Sequence, residues 1–201
     1  MPYLKTIIWF CIIMTWCRPV AILSAADRPK GKLDFVVVNE PVNISERGLV
    51  TGYSVLTMEY RFSFIPPFEW RLESNRSELS VTLTPREMDT AIRIKLLPGQ
   101  DSSNEDAEAD WAGRLVKARY PDAEIKDRFE CHTGGSSGVS FDLRQDYGGN
   151  LRLDSRVAFV PYEKGVIEIR QTSLAGKLTP KYLELGTLLT SLRIASRGSD
   201  E

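Results

Sequence analysis

Cysteine and histidine are scarce in this chain of 201 residues, which holds three cysteines and one histidine. Cys11 and Cys17 lie in an N-terminal segment that we expect to be removed, which leaves Cys131 as the one thiol. A lone cysteine cannot form an internal disulfide, so a disulfide-stapled fold is excluded for the mature chain. A zinc site needs three or four ligands, and Cys131 with His132 would supply only two. We therefore predict no metal site and no cofactor.

Neither positive nor negative charge is in large excess in this chain. The chain carries 26 Lys and Arg against 27 Asp and Glu, and loss of Lys5 and Arg18 with the N-terminal segment would give 24 − 27 = −3. Domains that bind nucleic acids usually display a basic stripe. The alternating charges of this chain instead indicate an ordinary solvated surface, so we predict no nucleic-acid partner.

A hydrophobic run of about 20 residues, the length needed to span a bilayer, is missing. The longest candidate covers residues 7–17, and Arg18 interrupts its continuation. Lys5 precedes this run and Ser24-Ala25-Ala26 follows it, so residues 1–26 have the pattern of a secretory signal peptide. We predict that the protein is exported to the periplasm or the extracellular space. It would meet the membrane only if this segment were retained as an anchor.

Signatures of catalysis are also missing. The glycine-rich residues 134–138 lack the Lys-Ser/Thr ending of a phosphate-binding loop, and no Gly-x-Ser-x-Gly elbow leads from a strand into a helix. The acidic cluster over residues 101–110 lacks the central glycine and final glutamate of a calcium loop. We therefore predict no catalytic, cofactor-binding or metal-binding residue. Carboxylates that meet only in space, such as Asp142 and Glu168, are the alternative that a sequence leaves open.

Four residues are left as candidates for chemistry or binding. Cys131 and His132 are adjacent, but neighbours on a strand point to opposite faces of the sheet, so we expect a structural pair. Tyr147 and Tyr162 fall in predicted hairpin turns, where an exposed ring can stack on a ligand. Core packing is the competing interpretation for both tyrosines.

The period of the apolar residues gives the fold class. Alternation in Tyr60-Arg61-Phe62-Ser63-Phe64 and similar stretches predicts short strands separated by Pro and Gly turns. The period then changes to about four, which predicts amphipathic helices over about 104–119, with Trp111 on its apolar stripe, and again near 181–192. Strands grouped apart from helices indicate an α+β fold: a largely antiparallel sheet with two main helices packed on it.

The predicted organisation has four parts. Residues 1–26 form the signal peptide, 27–47 a leader with the first strand, 48–195 a single α+β domain, and 196–201 a polar tail. The first strand is expected over residues 33–38, since Pro41 cannot donate to a sheet ladder.

This layout resembles the superfamily of the photosystem II extrinsic protein PsbP, which also contains a nuclear-import Ran-release factor, and in particular an exported bacterial branch of it. The similarity covers about residues 48–195, although Phe68-Glu69 stands where the usual pattern has Pro-Gly before a tryptophan. The resemblance implies an α/β/α sandwich that acts as a binding or accessory module, with no catalytic motif. The motifs that carry it are Phe62-Ser63-Phe64-Ile65-Pro66-Pro67-Phe68-Glu69-Trp70, Val157-Ala158-Phe159-Val160-Pro161-Tyr162 and Leu188-Leu189-Thr190-Ser191-Leu192-Arg193.

Three functions follow as hypotheses. The leading one is a non-enzymatic, exported binding or accessory domain whose partner is a protein or a small apolar ligand. The second is a carboxylate-based hydrolase or another periplasmic enzyme. The third is a structural or assembly protein of the cell envelope.

Overall fold

The computed structural model describes residues 35–45, 48–86, 90–100, 110–178 and 182–197. These residues belong to one compact unit, residues 33–201. The predicted signal peptide lies outside the described residues. Within them, no helix has the length and apolar character needed to cross a membrane. The described strands and helices are β1 Val36–Ile44, β2 Gly48–Leu56, β3 Tyr60–Phe64, β4 Arg71–Asn75, β5 Ser80–Thr84, β6 Thr90–Pro98, α1 Trp111–Arg119, β7 Glu124–His132, β8 Ser137–Asp146, β9 Arg152–Tyr162, β10 Gly165–Leu174, α2 Tyr182–Ser191 and β11 Arg193–Ser196.

The strands form two antiparallel sheets. The small sheet has the order β1-β2-β3-β11, and the large sheet has the order β4-β5-β6-β10-β9-β8-β7. Short connections join most neighbours in the sequence, so the meanders expected from the Pro and Gly turns are present. The predicted α+β fold, with mainly antiparallel strands and two helices, is confirmed.

Strand β1 is longer than its sequence suggests. It continues through Pro41 to Ile44 and pairs with β2 along its whole length, so the expected end of the strand at Pro41 is wrong. The reason is the position of β1 at the edge of the small sheet. A proline on an edge strand can turn its missing N–H away from the ladder, so it need not end the strand.

The large sheet separates two apolar clusters because its residues alternate between its faces. Phe159 and Val157 of β9 pack with Val116 of α1, whereas Ala158 and Val160 of the same strand face the other cluster. That second cluster lies between the large sheet, the small sheet and α2. It contains Val55, Phe62, Phe64, Val81, Leu83, Ile92, Ile94, Ile167, Ile169, Leu185, Leu188, Leu189 and Leu192, all buried.

Helix α1 begins at Trp111, later than the predicted start near residue 104. Asp110 is not helical, and its carboxylate accepts a 2.8 Å hydrogen bond from the Gly113 N–H, which makes it the N-cap. An aspartate in this position satisfies one of the free N–H groups of the first turn. The expected cap at Ser103 or Asn104, and Ala107 of the expected apolar stripe, lie outside the described residues.

Helix α2 matches its predicted apolar face, and a strand follows it that the sequence analysis missed. Ser191 accepts a 2.9 Å hydrogen bond from the backbone N–H of Ile65, which ties the end of α2 to the end of β3. Strand β11 then pairs with β3 as far as Ser196. Part of the expected polar tail is therefore ordered in the small sheet.

The Phe68-Glu69 turn has a glycine-like backbone at Glu69. The Trp70 N–H donates to the Pro67 carbonyl, and Glu69 has φ 63°. Glycine is the residue that adopts this left-handed conformation without steric cost. The chain therefore holds a glutamate where the backbone favours glycine, with Phe68 almost fully exposed beside it.

Candidate functional site

A cleft among the described residues lies where loops from both sheets meet. It has a volume of about 330 Å³. The β2–β3 turn, the 3-10 turn before β5, the end of β6 and the β9–β10 turn each contribute to its walls. We call it the Tyr60–Tyr162 cleft, and its lining residues are Thr57, Glu59, Tyr60, Leu79, Leu96, Pro98, Gly99, Tyr162 and Lys164.

Two tyrosines from different sheets form the aromatic wall of the cleft. Tyr60 begins β3 and Tyr162 ends β9, and their rings meet edge to face with centroids 5.2 Å apart. Phe62 packs against Tyr162 in the same geometry at 5.3 Å. Such aromatic pairs contribute about 0.5–1.5 kcal/mol beyond the area they bury. The wall is therefore fixed by packing before any ligand arrives.

The phenol groups of this wall are hydrogen-bond donors at neutral pH. The Tyr60 hydroxyl donates a 2.8 Å hydrogen bond to Glu163. Burial, reinforced by this bond, raises the pKa of Tyr60 to about 12 from the usual 10.0. Burial and the nearby charge of Glu59 also raise the pKa of Tyr162. Both groups stay protonated, so neither can serve as a base near neutrality.

An ion pair lies at the open side of the cleft. The Lys164 ammonium is 2.7 Å from the Glu59 carboxylate, and this hydrogen bond raises the pKa of Lys164. Both side chains are about half exposed. Exposed pairs of this kind contribute only about 0–1 kcal/mol, so the pair can open at little cost when a ligand enters.

Gly165 allows the turn beside Tyr162 to approach β6 closely. A Cβ atom at this position would collide with the Leu97 carbonyl oxygen and lie 2.9 Å from the Tyr162 hydroxyl. The β9–β10 turn is further tied to the end of β6 by a 2.9 Å hydrogen bond from the Gly99 N–H to the Lys164 carbonyl. A larger residue would therefore require the Leu97 backbone or the Tyr162 side chain to shift.

Tyr147, the other tyrosine predicted as a candidate, is far from this cleft. It lies in the β8–β9 turn, is 56% exposed, and its hydroxyl is 3.3 Å from the Gln145 side-chain oxygen. Tyr162 ends the same strand β9, which has 11 residues. At about 3.4 Å per residue, the two rings lie at opposite ends of the sheet. The structure therefore does not bring the two tyrosines into one site.

Cys131 and His132 also do not meet. Cys131 is buried in the cluster between the sheets, and this burial raises the pKa of its thiol. His132 is exposed, with its Nδ1 atom 3.1 Å from the Ser137 hydroxyl. A buried, protonated thiol is a poor nucleophile. Among the residues that the structure describes, no group of three His, Cys, Asp or Glu side chains gathers as a metal would require.

Asp142 and Glu168 do not form a carboxylate pair. Asp142 accepts hydrogen bonds of 2.7 and 2.8 Å from the guanidinium of Arg156. Glu168 lies on the face of the large sheet that α1 covers. Phe141 and Leu143, the residues on either side of Asp142 in β8, pack on that same face. Because successive residues of a strand alternate between faces, Asp142 lies on the other face. The two carboxylates therefore point to opposite sides of the large sheet.

Glu168 instead anchors α1, which the sequence analysis did not foresee. It is 4% exposed, forms an ion pair with Arg119, and accepts a 2.8 Å hydrogen bond from the Tyr120 hydroxyl. Burial and the Glu168 charge raise the pKa of Tyr120. Arg170 stacks on the Tyr120 ring and donates to Gln145 at 2.6 Å. The polar side chains of this cluster form hydrogen bonds and ion pairs with one another, so we interpret the cluster as structural.

The cleft residues other than Tyr162 were missed from the sequence. Glu59, Tyr60 and Leu79 lie in or beside turns far apart in the chain, and no local pattern links them. One signal was available: a glutamate is adjacent to the tyrosine of a turn at both Glu59-Tyr60 and Tyr162-Glu163.

Comparison with known proteins gives a fold and no closer relationship. Neither a family model nor a curated protein sequence matches this chain. A protein of Bacteroides thetaiotaomicron VPI-5482 is 16% identical with a TM-score of 0.46; the match covers 69% of this chain but only 46% of that longer one. The Ran-binding protein Mog1p of Saccharomyces cerevisiae is 12% identical with a TM-score of 0.45, over 79% of this chain and 96% of that one.

The solution structure of cyanobacterial PsbP (CyanoP) from Synechocystis sp. PCC 6803 is similar over a greater length. It is 12% identical with a TM-score of 0.50, and the match covers 86% of this chain and 100% of that chain. At this identity the likeness shows the fold alone. The resemblance predicted from the layout is confirmed at that level: the chain has a PsbP-like fold.

Proposed function

We propose that this protein is a non-enzymatic binding module whose ligand is a small apolar molecule held in the Tyr60–Tyr162 cleft. The observation that carries the proposal is the cleft itself, with aromatic and aliphatic walls and a few polar groups at its opening. Ligand sites commonly have this composition and volumes of about 300–1,000 Å³. For comparison, an apolar cavity of about 150 Å³ in another protein binds benzene, so about 330 Å³ suits a molecule of one or two rings.

The charges at the cleft favour binding over catalysis. Glu59 is paired with Lys164, and Glu163 accepts the hydrogen bond of Tyr60. A general base must be free to take a proton from its substrate. Glu163 is held by the buried Tyr60 hydroxyl and both phenols are protonated, so Glu59, in its exposed pair, is the one carboxylate of this group that a ligand can free at little cost.

A binding titration with naphthalene as the probe tests the proposal. The protein should bind naphthalene, and Tyr162→Leu should weaken binding about tenfold through loss of ring contacts of about 0.5–1.5 kcal/mol each. Tyr147→Leu is the matched control, since Tyr147 lies at the opposite end of β9. Equal affinities for both variants, or no binding by the wild type, would overturn the proposal.

A carboxylate-based hydrolase is the second candidate. It is favoured by one observation, that Glu59 lines the cleft while Glu163 lies beside Tyr60. Such enzymes use two carboxylates, one as acid and one as base or nucleophile. Turnover of a chromogenic ester or glycoside that is lost in both Glu59→Gln and Glu163→Gln would favour this enzyme over the binding module.

Export is the remaining part of the proposal, and the pattern of residues 1–26 supports it. The mature protein would begin at or near Asp27 and work in the periplasm or outside the cell. N-terminal sequencing of exported material should find that start. An intact Met1 in a membrane fraction would show instead that the segment is retained.

A further inference from the structure

The Tyr60–Tyr162 cleft and a void between the two sheets share two of their lining residues. The void is small, about 10 Å³, and lies between the two sheets. Leu79 and Leu96 line both the cleft and the void. We call these two side chains the Leu79–Leu96 wall. The other residues around the void are all apolar: Phe35, Val55, Phe62, Phe64, Val81, Ile94, Ile167 and Leu192.

The backbone at Leu79 is unusual. It has φ 51° and ψ 46°, the left-handed conformation, at the end of the 3-10 turn Arg76–Glu78. Its N–H donates to the Arg76 carbonyl at 3.3 Å and its carbonyl accepts from the Leu96 N–H at 2.9 Å. A leucine is sterically strained in this conformation, whereas glycine is not. Strained positions of this kind cluster where a side chain has a function to perform.

The polar residues Thr57, Glu59 and Lys164 line the cleft but do not line the void. Glu59 and Lys164 neutralise each other, and the Thr57 hydroxyl is held by the Tyr60 backbone. A ligand with a neutral polar end would keep that end at this opening without leaving an unpaired charge. Its apolar part would extend toward the Leu79–Leu96 wall, and the void that these leucines also line is bounded by apolar residues.

We propose that the ligand class is an elongated apolar molecule with a neutral polar end, and that Leu79 sets the greatest length accepted. This inference rests on the function proposed above. The side chain of Leu79 closes the cleft toward the core, so a chain longer than the cleft finds no further apolar surface. Shortening Leu79 joins the void to the cleft and admits a longer chain.

Calorimetric titration with hexanol, octanol, decanol and dodecanol tests the role of Leu79. In the wild type, affinity should rise about fourfold per buried methylene and then stop rising once the cleft is filled. In Leu79→Ala the rise should continue for about two more methylenes, which is a gain of about fifteenfold for the longest alcohols. Leu79→Phe should make affinity stop rising at a shorter chain.

Val81→Ala is the matched control because Val81 lines the void but not the cleft. It enlarges the void without removing a side chain of the Leu79–Leu96 wall. Its affinity should therefore depend on alcohol chain length as that of the wild type does. Circular dichroism and a thermal melt establish whether each variant is folded. If Leu79→Ala does not fold, Leu79→Phe still tests the role of Leu79. An unchanged length dependence in the Leu79 variants, with binding intact, would overturn the role of Leu79 alone. Absence of naphthalene binding by the wild type would overturn the proposed function itself, whereas naphthalene binding without binding of any alcohol would overturn the elongated ligand class alone.

Discussion

Tyr60 and Tyr162 meet edge to face, with centroids 5.2 Å apart and ring planes at 69°. Tyr60 belongs to the small sheet and Tyr162 to the large sheet, so this contact joins the two layers at one end of the sandwich. A ligand that rests on both rings would touch both sheets. Its binding should therefore stabilise the whole fold against unfolding, by an amount that grows with the logarithm of its concentration over its dissociation constant.

The raised pKa of Tyr60 predicts how stability depends on pH. Its phenol titrates at 10.0 when unfolded and at about 12 in the fold. Between these pH values the native state holds a proton that the unfolded state has released. The contribution of Tyr60 to the free energy of unfolding is therefore fully present below pH 10 and is lost as pH rises toward 12. Tyr60→Phe has no such proton to lose.

Urea unfolding across this alkaline range checks the prediction. The free energy of unfolding should fall less steeply with pH in Tyr60→Phe than in the wild type. Tyr147→Phe is the control, since Tyr147 is exposed and far from the cleft. Identical slopes for wild type and Tyr60→Phe would show that Tyr60 titrates normally in the fold.

Removing the charge of Glu168 should loosen α1. Glu168→Gln leaves Arg119 without its partner and places an amide donor against the Tyr120 hydroxyl. Hydrogen bonds to charged groups are worth about 1.5–3 kcal/mol, so we expect unfolding free energy to fall by about 2–3 kcal/mol. Glu124→Gln, in an exposed pair with Lys126, should change it by less than about 0.5 kcal/mol. Equal small effects would show that the buried cluster does not anchor the helix.

Glu69→Gly should stabilise the protein. Glu69 has φ 63°, where a residue with a Cβ atom is strained by about 1–2 kcal/mol and glycine is not. Glycine loses part of this gain because its unfolded chain is more flexible, so the net increase should be about 0.5–1 kcal/mol. Glu73→Gly, in the exposed strand β4, should do the opposite by a similar amount. A thermal melt that shows both variants destabilised would argue against strain at Glu69.

Cys131 and His132 should be dispensable for binding. Cys131→Ser puts a hydroxyl into the core and should lower stability by about 1–3 kcal/mol, while His132→Gln changes an exposed side chain and should cost less than about 0.5 kcal/mol. Naphthalene affinity of the double variant should match the wild type. Stoichiometric zinc in the purified wild type, or lost binding in a folded double variant, would make this pair a functional site.

Elements that depend on the local period of apolar residues could be predicted from the sequence. Elements that depend on pairing with a distant segment could not. Alternation in β3 and the apolar spacing of α2 gave correct elements, because Phe62 and Leu188 must face the core whatever surrounds them. The length of β1 depended on its being an edge strand, and β11 exists because Ile194 finds a partner in Phe62. Neither the edge position of β1 nor the pairing of β11 with β3 can be derived from the local sequence.

The candidate site shows the same division. Tyr162 was identified because an aromatic residue in a hairpin turn is a local signal, but Tyr147 satisfied the same criterion and lies elsewhere. Leu79 and Glu59 enter the cleft only when the sheets close on each other. Their roles therefore follow from packing between distant turns, which the sequence alone does not specify.

Nuclear Overhauser effects between bound naphthalene and isotope-labelled protein test the proposal that the ligand lies in the Tyr60–Tyr162 cleft. We expect contacts under this proposal from naphthalene protons to the ring protons of Tyr60 and Tyr162 and to the methyl groups of Leu79 and Leu96. Contacts confined to Tyr147, Phe68 or another exposed apolar side chain, or no contacts at saturating naphthalene, would contradict it.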